Sequence, residues 1–141
     1  MRLNWIVCAL LLAATGSFAL AEGGEDLERT MKAMNRPYKT LLKQIKDKSK
    51  NADSLKQLAD MQAATLKAKG ATPDHLEKLS KEQREKALVD YRSMMATCLM
   101  EELEIEQALL DDDNTTAAKK LDDLTATMNA GHNEYRPKEH D

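Results

Sequence analysis

The chain has 141 residues, with 21 Lys and Arg against 24 Asp and Glu and a net charge of −3 at neutral pH. That balance argues against nucleic acid or an anionic membrane as partner, and the length suits one domain around a single core. Aromatic residues make up only 4% and β-branched runs are absent, so the composition points to helices alone.

Residues 1–21 read as an export signal. Arg2 gives a short basic region, Trp5 to Ala14 is an apolar stretch too short to span a bilayer, and Ala19-Leu20-Ala21 offers small residues to a signal peptidase. Cleavage after Ala21 would leave residues 22–141 in the periplasm with no membrane anchor. Trp5-Ile6-Val7 lacks the small side chains that a lipoprotein site at Cys8 needs. The single Trp and single Phe, Trp5 and Phe18, leave with this segment. Cys98 is then the one cysteine left, which excludes an intramolecular disulfide in a compartment where one would persist.

Four helical segments follow. The first is expected from about Glu25 to Lys50, because Leu27, Met31, Met34, Tyr38, Leu41 and Ile45 recur at spacings of three and four. Glu25, Asp26 and Glu28 suit the positive end of its dipole, and Pro37 should bend it or break it locally. The second is expected to start near Ala52 or Asp53, with Asp53 or Ser54 as cap, and carries Leu55, Leu58, Met61, Thr65 and Leu66. Gly70 and Pro73 should close it. Gly70 to Ser80 is irregular, anchored by Leu76 and Leu79.

The third segment opens with Ser80-Lys81-Glu82-Gln83, a capping-box pattern, and reaches about Leu110. Its apolar band holds Leu88, Tyr91, Met95, Cys98, Leu99, Leu103, Leu109 and Leu110, with Arg92, Glu102 and Glu106 intruding. Asp111-Asp112-Asp113-Asn114 reads as a solvated turn and not a calcium loop, since it lacks the EF-hand spacing, Gly and distal Glu. The fourth runs from about Thr115 to Tyr135, with Leu121, Thr125, Met128, His132 and Tyr135 on one face, and Pro137 ends it. Short connections predict an all-α, antiparallel up-down-up-down four-helix bundle over residues 22–141.

In such a bundle the first and last helices run antiparallel. At about 1.5 Å per residue, Met31 lies about 9 Å from the start of the first and His132 about 6 Å from the end of the last. The two would share a layer at one end of the core. A thioether and an imidazole are an axial pair that haem iron accepts, and the thioether raises the reduction potential.

Three blocks carry a resemblance to the cytochrome b562 family. Glu25-Asp26-Leu27-Glu28-Arg29-Thr30-Met31 resembles the family's N-terminal block, which ends in the Met ligand. Met61-Gln62-Ala63-Ala64-Thr65-Leu66-Lys67-Ala68, with Ala71-Thr72-Pro73 and Leu76-Glu77, is similar to its second helix and following loop. Leu124 to Arg136 resembles its C-terminal block, through Asn129-Ala130-Gly131-His132-Asn133-Glu134-Tyr135-Arg136. The resemblance implies a periplasmic electron-transfer bundle, not an enzyme, that binds one b-type haem non-covalently through Met31 and His132. Arg136 would then be placed to pair with a propionate. It also implies a monomer serving a redox partner protein.

This chain departs from the family's pattern in three places. The family packs a helix-three Phe against the porphyrin, a space that Tyr91, Met94, Met95 or Leu99 would have to fill. It has an Arg at the position of Met128 and a Tyr at that of Gly131, whose loss should leave open space beside His132.

Two other readings stand beside this one. Met31, Met34, Met128 and His132 could converge as a Cu(I) site in an exported bundle, since thioethers with imidazole select that ion. Alternatively, a haem-free bundle could bind another protein, with Met31 and His132 as core residues. No Cys-x-x-Cys-His motif for covalent haem attachment is present, nor any nucleophile–base pair, phosphate loop or hydrolase motif. His75 in the loop and His140 in the tail read as solvated.

Overall fold

A computed structural model of the protein describes residues 24–135. It has four helices, α1 (Gly24–Gln44), α2 (Asn51–Gly70), α3 (Lys81–Leu110) and α4 (Asn114–Tyr135), with short 3-10 turns at Lys48–Lys50 and Asp74–Lys78. The expected leader, together with Arg136, Pro137 and His140, lies outside the described residues. In sequence order α1 packs on α2, α2 on α3 and α3 on α4, so the all-α up-and-down bundle is as expected. None of the described helices is long and apolar enough to cross a membrane.

The ends of the helices differ in detail from the expectation. α1 runs unbroken through the buried Pro37 and stops at Gln44, short of Lys50. The chain turns there because the Asp47 carboxylate accepts the backbone N–H of Ser49 at 3.0 Å and starts a 3-10 turn. α2 then begins at Asn51 without a side-chain cap, while Ser54, an expected cap, is fully buried inside the helix. Gly70 is the last residue of α2, not a left-handed stop, and the extended Ala71 ends the helix with its N–H on the Ala68 carbonyl. The capping box at the start of α3 forms between Ser80 and Gln83. Asp113 caps α4 by accepting the Thr116 N–H at 3.0 Å, after Asp112 adopts a φ of 54° that Asp tolerates better than most residues.

Heptad spacing decides what faces inward. On α3 the buried stripe is Tyr91, Met95, Cys98, Glu102, Ile105 and Leu109, alternating four and three residues. Glu102 falls on that stripe and is 1% exposed, while the expected core residues Leu103 and Leu110 face solvent. On α2 the stripe is Asn51, Ser54, Leu58, Met61, Thr65 and Ala68, which leaves the expected Leu66 outside. The main core joins Leu58 and Met61 of α2 and Cys98, Ile105 and Leu109 of α3 to Leu41 of α1, to Ile45 just beyond its end, and to Ala117, Leu121 and Leu124 of α4.

A polar clasp closes the end of the bundle where α1 stops. The Asn114 amide donates to the Ile45 carbonyl at 2.6 Å and to Asn51 Oδ1 at 2.8 Å. Asn51 in turn donates to Asp112 Oδ1 at 3.0 Å. Both Asn residues are buried, so each lost partner leaves an unpaired group in the core. Asn114→Ala is expected to lower the free energy of unfolding by about 2 kcal/mol, read by urea denaturation. A change of less than about 0.5 kcal/mol, the range of neutral surface substitutions, would contradict this role.

Candidate functional site

The other end of the bundle brings the start of α1 and α3 together with the finish of α2 and α4. Lys67 pairs with Asp26 at 2.9 Å across α2 and α1. Tyr91 donates to the Ala68 carbonyl at 2.7 Å and meets Tyr135 edge-on, ring centroids 5.2 Å apart. Ala68, Tyr91 and Met95 form a second, smaller core, and Leu27, Met31, Leu88 and Tyr135 pack against it. This packed apolar cluster, the chamber end of the bundle, includes the thioethers of Met31 and Met95.

One hydrogen bond sets how α1 and α4 face each other. Tyr38 Oη lies 2.8 Å from Thr125 Oγ1. Two helical turns from that contact, towards the open end, the same edge of α1 carries Met31 and the same edge of α4 carries His132, because seven residues nearly restore a helix's facing. By helix periodicity from that one contact, Met31 and His132 fall at corresponding positions of α1 and α4. They differ in burial: Met31 is half-buried, whereas His132 is exposed and not on a buried stripe as expected. The core stripe of α4 continues from Leu124 through Met128, Gly131 and Tyr135, so His132 sits one residue round, at the α1 side.

Gly131 lets α4 approach α3 closely. A Cβ there would lie 2.7 Å from Met94 Sδ, so the expected open space beside His132 is filled by Met94. Of the four candidates for the space of the family's Phe, Tyr91 and Met95 are buried in the chamber, Leu99 is half-buried and Met94 lies against Gly131. Met34 is buried with its sulfur 3.3 Å from the Thr65 hydroxyl, so it faces α2. Met128 packs on the main core.

His75 is not the solvated loop residue expected. It is half-buried, its ring centroid is 6.0 Å from that of Tyr135, and its Nδ1 is buried without a hydrogen-bond partner among the described residues.

One layer below the chamber lies a group that periodicity flagged only as an intruder. Glu102 Oε1 accepts the Thr65 hydroxyl at 2.6 Å, and Oε2 is buried with no partner among the described residues. Burial pushes this carboxyl up to about 7, helped by the neighbouring Glu101 carboxylate and opposed by the Thr65 hydrogen bond. Burial, with Glu101 and Glu102 nearby, likewise pushes the Cys98 thiol up to about 12, which makes it an unreactive core residue. No cluster of three or more His, Cys, Asp or Glu able to hold a metal occurs among the described residues.

Comparison with known families decides what this frame is. The family profile described as cytochrome b562 matches residues 26–136. The chain belongs to the cytochrome b562 family. Membership makes it a bundle of a haem-binding, electron-carrying kind, as the blocks around Met31, Met61 and His132 implied. No match to a curated protein was found. In this cytochrome b562 frame the chemistry of the chamber end suits a haem: an apolar interior with the Met31 thioether beside it, and the exposed His132 imidazole near the end of α4.

Proposed function

We propose that this cytochrome b562 family member is a periplasmic electron carrier that holds one b-type haem non-covalently, with Met31 and His132 as axial ligands. The observation that carries the reading is the Tyr38–Thr125 contact, which fixes the register of α1 against α4. A haem held by both Met31 and His132 would supply one-electron chemistry and would leave O₂ no place to bind. Met31, as a soft ligand, favours the reduced state. Leu27, Leu88, Tyr91, Met95 and Tyr135 give an apolar wall that keeps water from that side. His132 is already exposed on the α1 edge and needs no core residue to move aside. Arg136, four residues on in the sequence, is the cation for a propionate. The sequence of residues 1–21 supports export, and the monomer delivers its electron to a redox partner protein.

The copper reading is weaker on one observation: the Met34 sulfur is engaged by Thr65 on the α2 side, away from His132. Haem titration of the purified protein tests the proposal. A low-spin Soret band that sharpens with distinct α and β bands on reduction is expected, and Met31→Ala should change the spin state. A titration with no shifted Soret band would overturn it.

A further inference from the structure

We infer that Glu102 is a proton-binding site that fills as the protein accepts an electron, so that this chain is a proton-coupled electron carrier. The inference rests on the proposed haem function and adds a second ligand, the proton, at a site of its own. Glu102 is 1% exposed in the middle of α3, on the inward stripe between Cys98 and Ile105. No cation balances it: among the described residues its recorded polar partner is Thr65, and Oε2 has none. A carboxylate buried in that state is costly, and one proton removes the cost.

The groups around it leave the proton little else to follow. α1 presents the Met34 thioether and α2 the Thr65 hydroxyl, neither of which titrates near neutral pH. From α4 the Thr127 hydroxyl is taken up by Glu101 at 2.9 Å. The titratable neighbour that bears on the charge of Glu102 is Glu101, on its own helix and acting against it, while the Cys98 thiol one turn away stays neutral in this range.

Thr65 makes the proton visible at a distance. Its hydroxyl has one hydrogen and two acceptors, Glu102 Oε1 at 2.6 Å and Met34 Sδ at 3.3 Å. With Glu102 ionised the hydroxyl donates to the carboxylate. With Oε1 protonated, Glu102 donates to Thr65 and the hydroxyl is free to donate to Met34, one turn of α1 from Met31. The step balances simply. In the haem-loaded protein one electron would pass from a one-electron donor protein to the haem, one proton would arrive from water at Glu102, and the carboxylate would become a carboxylic acid, with the net charge of the loaded protein unchanged. A unit of negative charge added within a few turns of helix, at an effective dielectric of about 20, should raise the proton affinity of such a carboxylate on the order of tenfold.

The test is carried out on the haem-loaded protein. The midpoint potential of the natural protein should fall as pH rises through neutrality, and reduction should add a protonated-carboxyl band to the infrared difference spectrum. Both should vanish in Glu102→Gln, which keeps the shape and the Thr65 contact. Thr65→Val, which removes the hydrogen bond to the charged form, should move the pH-dependent window upward. A potential whose pH slope survives Glu102→Gln, or a reduction spectrum without the carboxyl band, overturns the inference while leaving the carrier intact. Failure to take up haem overturns the carrier and the inference together.

Discussion

Replacing His132 with alanine is expected to weaken haem binding by more than about 100-fold, beyond the range seen when only an outer-shell partner of a metal ligand is lost. The same substitution should leave the haem-free protein's unfolding free energy within about 0.5 kcal/mol, as for an exposed residue with no hydrogen-bond partner among the described residues. That pairing of effects is informative. A core histidine would cost stability, and a decorative surface histidine would cost nothing at all. Optical titration with haem and urea unfolding of the same two proteins give both readings. If His132→Ala binds haem as the natural protein does, the ligand assignment fails.

The haem-free protein should also lose stability as the pH rises from about 4.5 to about 7. Glu102 carries its ordinary value of 4.5 when unfolded and about 7 when buried in the fold. Between those values the folded state binds more protons than the unfolded state, so unfolding becomes easier with every step up in pH. The contribution is fully present below pH 4.5 and lost above pH 7, and at 1.36 kcal/mol per unit it amounts to about 3 kcal/mol. Glu102→Gln should flatten this part of the profile. A natural protein whose stability, after comparison with that variant, rises over the window would show that Glu102 is stabilised as a carboxylate.

Much of the bundle can be read directly from residue spacing. The helix count, the Ser80–Gln83 box, the turn at Asp111 to Asn114 and the reach of α3 to Leu110 all follow from local signals that fold locally. What spacing alone does not settle is rotation. Leu66, Leu103 and Leu110 look like core residues because they are apolar, yet Thr65 and Glu102 take the inward positions beside two of them. Those two polar residues are tolerated there because they bond each other, and a partner on another helix leaves no mark on the local pattern. The end of α1 is similar: Asp47 and the Asn51–Asn114 pair stop the helix before Lys50, and half of that device lies on α4. At the candidate site the spacing that puts Met31 on an apolar face of α1 agrees with its half-buried place beside the Tyr91 cluster. The exposure of His132 does not follow from spacing, because the inward stripe of α4 passes through Gly131, which lies against Met94.

The clasp of Asn51, Asn114 and the Ile45 carbonyl has a kinetic consequence. It ties α1 to α4 at one end, whereas at the other the exposed last turn of α4 is held mainly through Tyr135 and Gly131. Amide exchange should therefore be graded along α4, slowest beside Asn114 and fastest near His132, as local opening follows the weakest contacts. A prosthetic group could then enter or leave by fraying a single turn, with the bundle never globally unfolded, so the lifetime of the loaded protein is governed by that turn and not by the stability of the whole fold.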